Sequence, residues 1–222
     1  ADTQRVFVLA PLPELHAVLH SGDDKALDAV SRACTTPEGL RPSIEAVLHA
    51  AMPHRAVIHA HAINSTVCAV LADGGERFLA AVAPLRLPIR FVPYFKPGLP
   101  LARQIALGNS MRGPADILLL QNHGIVVGAD SPAQALRQLR AVESALSFPI
   151  RAQDGESAFA ELSTEFEVDG EHSAIANDTE LCAALTRAPL TPDQAVFLGG
   201  APCLVSPGEK VDEAVKTASD AK

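Results

Sequence analysis

Residues 116–127, Asp116-Ile-Leu-Leu-Leu-Gln-Asn-His-Gly-Ile-Val-Val127, decide the fold. Ile117 to Leu120 run without a polar break, the pattern of a short strand buried on both faces. Asn122-His123-Gly124 is a turn, and Ile125-Val126-Val127 a second strand. Downstream, Ser131-Pro132 opens a long helix to about Phe148, with Pro132 at its first position and Ala135, Leu139, Val142 and Leu146 near the helical period. Upstream, residues 100–109 predict a helix closed by Gly108 and Gly113, and residues 86–93 a short or edge strand interrupted by proline. Residues 55–61 are strand-like. Residues 66–71 are strand-like or equally helical, and Asp73-Gly74-Gly75 is a turn. Ser43 is expected to cap a helix that carries Glu45, Val47, Leu48 and Ala51 and ends before Pro53.

Towards the start, residues 5–10 are β-prone, and residues 13–20 and 23–32 predict two short helices. Beyond residue 150 the pattern weakens. A helix is expected over 180–187, a strand over 195–198 and a polar tail over 208–222. Strands alternating with helices predict an α/β layered domain. We expect one domain over 1–222, with 151–222 as its C-terminal extension.

Composition narrows the function classes. The 222 residues carry 18 Lys plus Arg against 26 Asp plus Glu, a formal net charge of −8. With 48% apolar and 20% charged residues, the chain has the balance of a folded, soluble protein. No basic stretch exists for nucleic-acid backbone binding, so a nucleic-acid partner is not expected. Apolar runs break well short of the roughly 20 residues a membrane span needs, and no signal-peptide pattern opens the sequence. Cys34, Cys68, Cys182 and Cys203 are far apart with no C-x-x-C, which fits a reducing cytosol, so a cytoplasmic location is expected. The glycine signatures of dinucleotide and P-loop sites are absent.

Histidine carries the chemistry. Strand side chains alternate, so His59 and His61 share one face and can share a divalent ion. Alone, the pair is equally a polar patch at a strand end. His123 ends a buried strand, where α/β folds gather their sites. Three histidines match the open pattern of catalytic zinc, which leaves a position for water or substrate. Glu45, in the first turn of its helix, is a fourth ligand, a proton-transfer group or a capping acid. Gly124 frees the turn and removes a side chain from the crevice wall, Asn122 fixes the loop, and Asn64 lines the site. Lys96 and Arg103 are candidate anion contacts, while His16, His20 and His54 read as surface or capping residues.

The ordered set Arg41-Pro-Ser-Ile-Glu-Ala-Val-Leu-His49, Ala56-Val-Ile-His-Ala-His61, Val92-Pro-Tyr-Phe-Lys-Pro-Gly98 and Asn122-His-Gly124 resembles the class II aldolase/adducin family over residues 38–148. The resemblance implies a three-layer α/β/α domain with a central, largely antiparallel or mixed sheet. It implies a divalent metal on His59, His61 and His123, zinc by preference, with manganese, cobalt and iron as alternatives. It places Glu45 as the catalytic acid/base, Ser43 near the substrate phosphate, and Tyr94 as a tyrosine serving a neighbouring subunit's site. A homotetramer acting on a small molecule follows. The glycine–asparagine–serine and threonine–proline–serine–glycine segments that line the family's phosphate site are not found ahead of Glu45, so either the chain is shortened or the phosphate cradle is rebuilt. The expected activity is that of an aldolase-type lyase on a small hydroxy-carbonyl or sugar-phosphate-like compound, through a metal-stabilised enediolate. Epimerase, dehydratase and decarboxylase chemistry uses the same machinery. A non-catalytic adducin-like module is the alternative.

Overall fold

A computed structural model describes residues 10–21, 23–33, 42–148, 178–189, 191, 194, 195, 203, 205 and 210–220. The chain divides into two compact units, Ala1–Ser147 and Phe148–Lys222. The expected strand over 5–10 lies outside the described residues except for its last position, and that over 195–198 except for its first.

Among the described residues, the first unit is built on a sheet of four strands in the order β1-β4-β3-β2, with β1 Ala56–Ala60, β2 Ile89–Val92, β3 Ile117–Leu120 and β4 Gly124–Ala129. β3 and β4 form the antiparallel hairpin expected of residues 116–127, with every strand residue buried. β1 joins β4 antiparallel and β2 joins β3 parallel, so the sheet is mixed. Helices α1 Leu12–Ser21, α2 Asp24–Ala33, α3 Ala46–Ala50 and α6 Leu99–Arg112 bury Leu15, Val47, Leu48, Leu101 and Ile105 in one cluster with Leu118, Leu120 and Val126. By strand alternation, Ile117, Leu119, Ile125 and Val127 face the opposite layer. That layer holds α4 Ile63–Val70, α5 Gly74–Val82 and α7 Pro132–Ala145, which pack on the sheet. The arrangement is three-layer α/β/α around a mixed sheet.

Several local expectations change. Of the two readings open for residues 66–71 the structure takes the helix, with 66–70 in α4 and Leu71 at its C-cap. Asp73-Gly74-Gly75 begins α5, which the sequence presented only as a turn. Ser43 does not cap α3; Glu45 itself occupies the N-cap position, and Ser43 Oγ accepts the Glu45 N–H at 3.2 Å, bracing the turn ahead of the helix. Ser131 does cap α7, its side chain accepting the Gln134 N–H. His54 is not a surface residue. Its Nε2 lies 2.9 Å from Asp116 Oδ1, and its ring fills the space that a side chain at Gly128 would need.

In the second unit, α8 Thr179–Arg187 starts from Asp178, whose carboxylate accepts the Leu181 N–H at 3.0 Å. A further helix spans Val211–Asp220, within the expected polar tail.

Candidate metal centre

The register of the sheet assembles the histidines. His59 lies opposite Val126, and directly paired residues in antiparallel strands point to the same face. Val126 belongs to the core under α1, α3 and α6, so His59 and His61 face that layer. The β3–β4 hairpin turns through Gln121, Asn122 and His123, which brings His123 beside them. Asn122 takes the left-handed conformation, φ 54°, that Asn tolerates better than most residues. Its N–H donates to Ala69 O at 3.0 Å.

One ring nitrogen from each of His59, His61 and His123 lies within 4.8 Å of the others. The ring centroids stand 4.8–5.2 Å apart, edge to face. His59 Nδ1 lies 3.0 Å from Ile125 O. A carbonyl only accepts, so Nδ1 carries a proton there, and Nε2 is the ring atom turned towards the cluster.

Glu45 enters from the start of α3. Its Oε2 lies 2.8 Å from His59 Nε2 and its Oε1 3.0 Å from His123 Nε2. The side chains are 16%, 9% and 7% exposed, so the contact is sheltered from water. Burial opposes ionisation of Glu45, but the polar contacts and positive charge of His123 and His59 outweigh it and hold the carboxyl far below its usual value. Glu45 Oε1 and His59 Nε2 are buried without a well-aligned hydrogen bond, leaving polar atoms at the centre for another partner. Three imidazoles and a carboxylate form a donor set that suits zinc, manganese, cobalt or iron. The residues fit a divalent metal.

The other sequence candidates are placed as follows. Gly124 faces His61: a Cβ there would stand 2.8 Å from His61 Cδ2 and 2.6 Å from Ala60 O. Asn64 is held by Glu143 of α7, its N–H donating to Oε2 and its amide to the Glu143 carbonyl, both at 2.9 Å. Tyr94 follows β2, at the sheet edge opposite β1, with its N–H on Gln121 Oε1 and its side chain 55% exposed. The Arg103 guanidinium donates to Val18 O and Leu19 O at the end of α1. The sequence reading did not find the role of Glu143. Its only local signal is Ala62, an N-cap residue unable to cap α4 itself.

The model of the class II aldolase and adducin N-terminal domain matches residues 13–148. The chain belongs to that family. A segment of 111 residues, 49% of the chain, is 33% identical to an uncharacterized oxidoreductase, YuxG, of Bacillus subtilis (strain 168), and covers 15% of that protein. The N-terminal class II aldolase domain of a conserved protein from Thermoplasma acidophilum is similar in fold, with a TM-score of 0.54 and 22% identity over 63% of this chain and 64% of that one. An aldolase II superfamily protein from Pseudomonas syringae aligns at 25% identity with a TM-score of 0.41, over 50% of this chain and 47% of that one. The chain thus spans less than two thirds of each of these relatives. Among the described residues, no helix is long and apolar enough to cross a membrane.

Proposed function

We propose that this domain is a metal-dependent lyase of the aldolase type, acting on a small hydroxy-carbonyl compound or its phosphate. The observation that carries the reading is the convergence of His59, His61 and His123 with the ionised carboxylate of Glu45. The histidines would hold a divalent ion, zinc by preference. Such an ion supplies Lewis acidity to a carbonyl and its neighbouring hydroxyl. Glu45 acts as the proton carrier. In the direction of bond formation it takes the proton from the carbon beside the carbonyl. In cleavage the hydroxyl that becomes the new carbonyl gives up its proton, the carbon–carbon bond breaks, and the carbon that keeps its electron pair takes up a proton through Glu45. Ser43 braces the turn that presents Glu45. Asn122 shapes the hairpin bend, and Gly124 opens space for the His61 ring.

A homo-oligomer, tetrameric by preference, is part of the proposal. Ile63, Val67 and Val70 recur along one face of α4 and stay exposed, Ile63 to 80%. Tyr94 stands across the sheet from β1, and we assign its phenol to a neighbouring copy's site. A cytoplasmic location completes the reading, supported by the free thiols of Cys68 and Cys203.

The test is turnover of hydroxy-aldehydes, hydroxy-ketones and their phosphates before and after chelation, with metal analysis of the same samples. Cleavage lost on chelation and restored by zinc, manganese, cobalt or iron supports the lyase. Epimerised, dehydrated or decarboxylated products would reassign the reaction on the same site. Bound metal with no turnover would make the domain a binding module.

A further inference from the structure

Between Ala60, the last residue of β1, and Ile63, the first of α4, the chain passes from strand to helix through His61 and Ala62. The N-cap residue Ala62 has no side-chain acceptor, so the first N–H groups of α4 need a partner from elsewhere. Glu143 supplies it from α7. Its Oε2 accepts the Asn64 N–H at 2.9 Å, and its Oε1 accepts the Ser65 N–H at 2.9 Å together with the Ser65 hydroxyl. Its main-chain carbonyl accepts the Asn64 side-chain amide at 2.9 Å. Ser65 is fully buried, so water does not replace these bonds. One carboxylate thus satisfies three donors, and its negative charge sits at the positive end of a helix.

We propose that Glu143 is a positioning residue for the metal site: its clamp on Asn64 and Ser65 fixes the chain leaving β1 and so holds His61 at its place in the histidine cluster. The inference rests on the metal reading above. His61 is bounded on its other side by β4, where the absence of a side chain at Gly124 leaves room for its ring. Without the carboxylate, three donors, two of them on the fully buried Ser65, lose their acceptor. Movement of residues 62–65 relieves that loss, and His61 is the ligand joined to that segment. Glu45 is held by α3, His59 by its pairing with β4 and His123 by the β3–β4 hairpin, so the clamp acts most directly on His61.

The test measures zinc and cobalt affinity by competition with a chelator, in wild type, E143A, E143Q and L101A. Melting temperature and cobalt absorption are recorded on the same samples. Leu101 is a buried core residue of α6 away from the clamp. E143A should bind metal about 10–100-fold more weakly, the usual cost of losing a group that supports a ligand. E143Q keeps one acceptor oxygen but turns an amide donor towards a donor, so it should fall between E143A and wild type, with an altered cobalt spectrum. L101A should melt earlier with wild-type affinity. A folded E143Q with wild-type affinity and spectrum overturns the inference, and decides alone if E143A does not fold. Equal weakening in L101A also overturns it, because the effect would then be general destabilisation. Wild type that binds neither metal overturns the metal reading itself, a result distinct from an unaffected E143Q in a protein that binds.

Discussion

Gly124 and His61 face each other across β1 and β4, and the ring of one occupies the space that a side chain on the other would need. Gly124→Ala would set a methyl 2.8 Å from His61 Cδ2 and 2.6 Å from the Ala60 carbonyl oxygen. The backbone oxygen cannot swing away as a side chain would. Overpacking of this kind costs about 1–3 kcal/mol. We expect G124A to unfold at lower urea concentration and to bind metal more weakly than wild type. Unchanged values in both titrations would show that the strands separate to admit the methyl.

Removing a ligand should remove the metal. H61A and H123A each take one imidazole from the donor set while the buried β3–β4 hairpin keeps the sheet together. Elemental analysis after extensive dialysis should find metal in wild type and little in either variant. Equal metal content in all three samples would place the ion elsewhere.

Glu45→Gln separates proton transfer from ligation. The amide keeps the shape of the side chain but cannot carry the proton. We expect E45Q to fold, to keep its metal on the three histidines, and to lose about 10²–10⁴-fold in turnover, the range for a general acid–base group. Near wild-type turnover would remove Glu45 from the chemistry. Loss of metal together with activity would make it chiefly a fourth ligand.

The exposed face of α4 predicts assembly. Light scattering should give a mass well above the 23.3 kDa of one chain at micromolar protein. I63D combined with V67D should shift it towards the monomer, since each buries a charge in an apolar contact. Y94F should lower turnover without changing metal content or mass. A wild-type mass of one chain would refute the oligomer.

The sheet centre and the histidine trio were legible in the sequence because their signals are local. Ile117 to Leu120 have no polar break, and the period of two puts His59 and His61 on one face without knowledge of the fold. The sequence leaves α4 between strand and helix and shows α5 only as a turn, because the reasons for both helices are tertiary. Residues 66–71 combine Thr, Val, Cys and Leu, which suit a strand, but the capping of α4 comes from Glu143, some 80 residues away in sequence. Asp73-Gly74-Gly75 has turn composition, yet both glycines answer to packing at the start of α5. A Cβ on Gly74 would collide with Cys68 O, and one on Gly75 would press on the Phe91 ring at 3.0 Å. Glu45 was visible as an acid near a helix start, but not as the partner of two imidazoles. That depends on α3 lying over the face that His59 and His61 share.

β4 has two glycines four residues apart on one face, and each leaves a hollow filled by a histidine from the segment of β1. His54 fills the one at Gly128 and is tethered to Asp116; His61 fills the one at Gly124. Val126 stands between the hollows, opposite His59. Among the described residues β1 lies at the edge of the sheet, and edge strands are the kind most free to slide along a neighbour. Here sliding by two residues would preserve the inward and outward alternation but drive a ring against a valine. The two hollows therefore work as a key and lock for alignment, so the strand that brings two of the three clustered histidines reaches its place in only one setting.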